Sequence, residues 1–198
     1  MLYIMSSNAP DTRTKILQAT WKMMEERRGV GVRMSDIAKA AGISRQAVYL
    51  HFATRVELLG ETTKYVDKIK GLDQRLKVVT EAKDAITMMN AYVDVWGNYL
   101  PEIHGLAGAL FAVREVDAAA KAAWDECMSC HRAGCADIVN ALKSEGKLAA
   151  AWDDSTATEM IWVLLSFQTW EQLTVECGWP NPQYIKWMKK VLTQTFVG

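Results

Sequence analysis

Apolar residues recur at intervals of three and four along almost the whole chain, and the strict alternation of a half-buried strand is nearly absent. The pattern predicts an all-α protein of nine helices. The first begins after Pro10, with Asp11 or Thr12 as N-cap, buries Ile16, Leu17, Thr20 and Met24, and ends at Gly29 and Gly31. Two short helices, Met34–Ala41 and Ser44–Phe52, come next. A fourth is expected from near Thr54 to about Lys70, where Gly71 interrupts. Lys83 to Leu100 carries Ile86, Met89, Val93, Trp96 and Leu100 on one stripe and is expected to stop at Pro101. A shorter apolar segment covers Ile103 to Val113. The next expected helix, Ala118 to Ser144, has the stripe Trp124, Cys127, His131, Cys135, Ile138 and Leu142. Two more, Thr156 to Glu176 and Pro182 to Phe196, flank the break CGWPNP. The first three helices read as a unit that the fourth joins to the rest, which divides the chain into 11–60 and 61–198.

The stretch MSDIAKAAGISRQAVYLHF, Met34 to Phe52, places two short helices around a glycine. Ala38 is small enough for a close crossing, and Gly42 suits the left-handed backbone of a sharp helix end. Ile37, Ile43 and Val48 fill the angle between the helices, and Ser44 caps the second. This is helix-turn-helix geometry, in which the second helix enters the major groove of DNA. With Val48 inward, Gln46 and Leu50 point directly away, flanked by Arg45, Ala47 and Tyr49. Arg and Gln pair bidentately with guanine and adenine edges, and Leu50 and Ala47 suit a thymine methyl. An outward leucine has a role if DNA covers it.

These residues carry a resemblance. IAKAAGISRQAVYLHFATRVELL closely resembles the signature of TetR-family transcriptional regulators, and TKILQATWKMMEERRG resembles that family's first helix. The match runs from Asp11 to Glu61. It implies an N-terminal three-helix DNA-binding domain on a larger helical domain that binds a small effector and forms a homodimer. It also implies a pseudo-palindromic double-stranded DNA operator. Arg45, Gln46, Tyr49, Leu50 and His51 are then expected at the DNA, with Ser44 and Ala47 beside them. Arg55 stands where the family usually has a phosphate-gripping lysine. The family usually has Ser or Thr near the start of the second helix. Here Arg33 and Met34 stand there, and Arg33 is expected to supply charge instead.

The remaining three-quarters speaks through its own residues. Met160, Val163, Leu164 and Phe167 fall on one side of the helix from Thr156, with Trp162, Leu165, Thr169 and Leu173 on another. Two-sided hydrophobicity suggests one face for its own core and one for a partner. With Ile185, Met188, Val191 and Leu192 of the last helix, it is expected to form a four-helix dimer interface. The aromatic, Met-rich interior suggests a pocket for an apolar or aromatic ligand, lined by Met89, Trp96, His104, Phe111, Trp124, His131, Trp162 and Phe167. The same residues at helical spacing also suit a plain core.

Charge supports two modules. The chain has no net charge, yet through Gly60 it carries nine Lys/Arg against five Asp/Glu, and fourteen against eighteen beyond. A basic head on an acidic body fits one polyanion-binding module and one that binds something else. No apolar run reaches the roughly 18–20 residues of a membrane span. The opening MLYIMSSNAP is short and lacks a basic flank, so a cytoplasmic protein with reduced cysteines and no membrane partner is expected. No nucleophile triad, phosphate loop or carboxylate pair stands out, so neither enzyme activity nor a cofactor is expected. The alternative reading is a metal- or redox-sensing protein using Cys127, Cys130, His131 and Cys135. These fall on a helical arc of about 140°, though one straight helix rarely closes a tetrahedral site.

Overall fold

Side-chain caps set the starts of three of the four N-terminal helices. The computed structural model describes residues 10–198, so the opening segment weighed against a signal peptide lies outside it. Asp11 accepts a hydrogen bond from the Thr14 N–H and opens α1 (Thr12–Glu26). α2 (Met34–Ala41) ends at Gly42, whose φ of 71° lets the Ile43 N–H reach the Ala38 carbonyl at 3.0 Å. Ser44 caps α3 (Arg45–His51), and Thr54 caps α4 (Arg55–Lys70). Ile16, Ile37, Val48 and Phe52 are buried together with Leu58 and Leu59 of α4, so the head closes on one core that α4 continues.

Beyond α4 the structure departs from the sequence reading in three places. Leu72–Thr80 forms an additional helix, α5, directly after Gly71. Its Leu72, Leu76 and Val79 have helical spacing and face the interior. Pro101 does not stop a helix: α6 runs unbroken from Ala85 to Val113. Proline costs a helix interior about 3 kcal/mol. Burial of Tyr99 and Leu100 before it, and of Leu106, Ala109 and Leu110 after it, outweighs that cost. Thirdly, Thr156 to Glu176 is not one helix. After α7 (Ala118–Ser144), α8 (Asp154–Leu164) ends at Leu165. Ser166 then caps a short α9 (Phe167–Glu171) that runs on as a π turn, Gln172–Glu176. α10 (Asn181–Phe196) closes the chain and packs on α6 so tightly that a Cβ at Gly97 would lie 2.4 Å from Ile185. That makes ten α-helices among the described residues.

α4, α5, α6 and α7 surround the centre of the larger domain. α8 lies on α7, and α10 on α6. No helix among the described residues is long and apolar enough to cross a membrane.

Candidate functional site

Burying Val48 in the head core turns the opposite side of α3 to solvent, and Leu50 there is 82% exposed. Arg45, Gln46, Tyr49 and His51 are exposed around it, while Ala47 is half-buried. The Arg45 guanidinium lies 5.6 Å from the Tyr49 ring centre, with Nη2 3.4 Å from its hydroxyl. The i,i+4 spacing thus lays the arginine along the helix. Ser44 Oγ is occupied as the cap, accepting the Ala47 N–H at 3.1 Å. Arg33 is exposed immediately before α2 and makes no capping bond there.

Arg55, the expected phosphate contact, is engaged within its own chain. Its guanidinium is folded into the joint between head and body, where Nε donates to the Val32 carbonyl at 3.0 Å and Nη1 to Asp117 Oδ1 at 2.5 Å. Both side chains are only 22% exposed. Asp117 is also the cap of α7, accepting the N–H groups of Ala119 and Ala120. Burial opposes ionisation of Asp117, but Arg55 and these N–H groups outweigh it and hold its carboxyl below the usual range. The resemblance makes Arg55 an expected phosphate contact, and no signal local to α4 points to Asp117. The partner lies 62 residues away. Arg55→Ala is therefore expected to lower the urea midpoint by an amount worth about 1–3 kcal/mol, the cost of leaving a part-buried charge unpaired. The dependence of DNA affinity on salt should stay unchanged. A fall in the salt slope of about one ion would return Arg55 to the phosphate role.

A cavity of about 520 Å³ opens among α4, α5, α6 and α7. Four of the eight expected ligand residues line it: Trp96, Trp124, His131 and Phe167. The other four do not. Met89 is wholly buried elsewhere in the core. His104 Nε2 pairs with Glu171 at 2.9 Å, between Phe167 and Trp170. Phe111 packs behind Trp124 and Phe167, with Arg114 3.6 Å over its ring. Trp162 is half-buried on α8. Tyr92, Tyr99 and Asp67 line the cavity and were missed. Tyr92 and Tyr99 stand four residues before and three after Trp96, a helical signal present in the sequence. For Asp67 nothing in the sequence indicated an interior carboxylate.

The wall holds unsatisfied polar atoms. His131 is 3% exposed, with Nδ1 2.9 Å from the Tyr92 hydroxyl, which also lies 3.1 Å from the His131 carbonyl. Its Nε2 and the Trp96 Nε1 are buried without hydrogen-bond partners. Burial pushes the imidazole down to about 4, and the nearby Leu165 backbone only partly opposes this. Buried polar atoms without partners cost free energy, and a ligand that met them would recover it.

The cysteine alternative does not form one site. Cys130 is exposed and Cys135 buried. Cys127 lies by Thr63, and Cys135 by Tyr92. Burial pushes the two inner thiols up, to about 11 and about 12. Among the described residues no group of three or more His, Cys, Asp or Glu is placed to hold a metal ion.

On the far side, Met160 and Val163 of α8 and Trp187 of α10 are exposed apolar residues. Phe167, expected beside Val163 at an interface, is instead buried in its own chain, as are Met188 and Leu192. The break at Leu165 and Ser166 redirects the chain and takes Phe167 inward.

Residues 16–62 match the model for bacterial regulatory proteins of the tetR family. The nucleoid occlusion factor SlmA of Marinomonas sp. (strain MWYL1) is 27% identical over 109 residues, 54% of each protein, so the match spans about half the length of that relative. Two solved structures share the fold. A putative transcriptional regulator from Saccharomonospora viridis, solved in complex with choline, has a TM-score of 0.73 at 16% identity over 94% of this chain and 97% of its own. The fatty acid degradation regulator FadR from Bacillus halodurans has a TM-score of 0.71 at 19% identity, over 94% and 96%.

Proposed function

We propose that this TetR-family transcriptional regulator is a cytoplasmic homodimer that represses from a pseudo-palindromic operator and leaves it when a small, largely apolar ligand fills its cavity. The observation that carries the reading is α3, a capped helix locked by Val48 that displays Arg45, Gln46 and Leu50 to solvent. Two such helices in a dimer would enter successive major grooves about one helical turn, or somewhat more, apart. Relatives of the same fold support a regulatory role, and the one solved in complex with choline supports response to a small molecule.

α4 supplies the coupling. Its N-terminal end holds the head through Arg55, and its Thr63 and Asp67 line the cavity. On this reading the expected boundary at residue 60 falls within the continuous α4, Arg55–Lys70. A ligand that prefers a different seating of α4 against α7 moves the head by its differential affinity for the two arrangements. His131 and Trp96 offer the polar contacts in an otherwise apolar wall. The test is Arg45→Ala. Operator affinity is expected to fall by about 1–3 kcal/mol, with preference relaxed at one base pair. Equal operator binding by wild type and variant in a fluorescence-anisotropy titration would sink the assignment.

A further inference from the structure

Resting on the reading of the cavity as an effector site, we propose that its ligand is an organic cation, an amine or quaternary ammonium on an apolar body, with the charged nitrogen set against Asp67. Asp67 is half-buried on α4 and lines the cavity. One of its carboxylate oxygens accepts the Tyr99 hydroxyl. Three cations of neighbouring turns, Lys64, Lys70 and Arg75, are engaged elsewhere. Lys70 and Arg75 pair with Glu102, at 3.6 and 2.6 Å. Lys64 pairs with Glu61 and Glu126, at 3.5 and 3.2 Å. Among the described residues, no ion pair to Asp67 is formed.

A carboxylate taken from water without a counter-ion costs free energy. Burial, with Asp73 nearby, pushes the Asp67 carboxyl above its usual range, while Tyr99 opposes that shift. A cationic ligand would remove this cost. It would also meet the rings of Tyr92, Trp96, Tyr99 and Trp124, and aromatic faces attract organic cations. The other ionised groups on the wall point the same way. Lys64 and Glu126 pair with each other, which leaves Asp137, another acid. An anionic ligand would find no free positive charge there, and a neutral one would be indifferent to Asp67.

Three probes on one naphthalene body separate these cases: naphthylmethyl-trimethylammonium, naphthalenemethanol and naphthylacetate. Binding is read by calorimetry, and DNA release by anisotropy. The ammonium is expected to bind roughly tenfold or more tighter than the alcohol, with the acetate weakest. Asp67→Asn should erase that preference and leave the alcohol within about twofold of wild type. If the alcohol or acetate binds wild type as tightly as the ammonium, or Asp67→Asn leaves ammonium binding intact, the cation inference is overturned and the effector reading stands. If none of the three binds by millimolar concentration, both are overturned. Should Asp67→Asn fail to fold, a wild-type ranking without a preference for the ammonium still overturns the inference.

Discussion

Val163→Asp is expected to split the dimer and abolish operator binding together. Val163 lies on α8 with nearly half its surface, 48%, open to solvent in the single chain, and Met160 of α8 and Trp187 of α10 are exposed as well. A two-fold interface repeats every substitution, so one change buries two unpaired carboxylates. The dimer dissociation constant should rise by roughly a hundredfold or more, at about 1.4 kcal/mol per factor of ten. Operator affinity should fall in parallel, because a palindromic site needs both recognition helices. The variant chain should still fold, since Val163 gives little to its own core. Sedimentation and circular dichroism at micromolar concentration check this. A dimer of unchanged mass, or a wild type that sediments as a monomer, would show that this face is not the interface. Phe167→Asp is not an equivalent test. That side chain is 3% exposed within its own fold, and the charge would unfold the protein rather than split the dimer.

Acid should weaken the native state through His131 by about 3 kcal/mol between pH 7 and pH 4. The imidazole is buried and neutral in the fold, held down to about 4 from an ordinary 6.5. The unfolded chain therefore takes up a proton as the pH falls through 6.5, and the folded chain does not until near 4. Between those values the unfolded state binds more protons, so stability rises with pH. The contribution is fully present above 6.5 and lost by about 4. Asp117, held below its usual range, adds a loss only at still lower pH. Asp67, held above its range, acts with the opposite sign near the acid end. The comparison is therefore between wild type and His131→Gln, which share both carboxylates. Urea midpoints across this pH range should converge as the pH falls. The His131 ring signals in NMR should stay those of the neutral form down to about pH 5. Parallel pH curves for the two proteins would refute the assignment.

Much of the fold was legible because its signals are local. Asp11, Ser44 and Thr54 announce their helices by capping N–H groups three residues on, and Gly42 ends α2 by a conformation that few other residues adopt. Val48, Gln46 and Leu50 then follow from helical phase alone, so the outward face of α3 was settled within nine residues of sequence. The amphipathic spacing of Leu72, Leu76 and Val79 is equally local, and Gly71 both ends α4 and begins α5. Pro101 is a true conflict. Local chemistry stops a helix there, and burial of residues on both sides of it carries α6 through. Only tertiary structure decided the remaining questions. That Arg55 meets Asp117 depends on where α7 begins relative to α4. Whether a Trp, Met or His at helical spacing lines a cavity or fills a core depends on how four helices splay, which no single helix encodes. Trp96 and Trp162 both carry buried indole nitrogens without partners, yet only Trp96 lines the cavity. Asp67 became a candidate ligand contact only when Lys64, Lys70 and Arg75 were seen to be paired with other carboxylates. Helix starts and faces are short-range consequences of residue order, whereas the pairing of charges and the shape of a cavity arise only when distant segments meet.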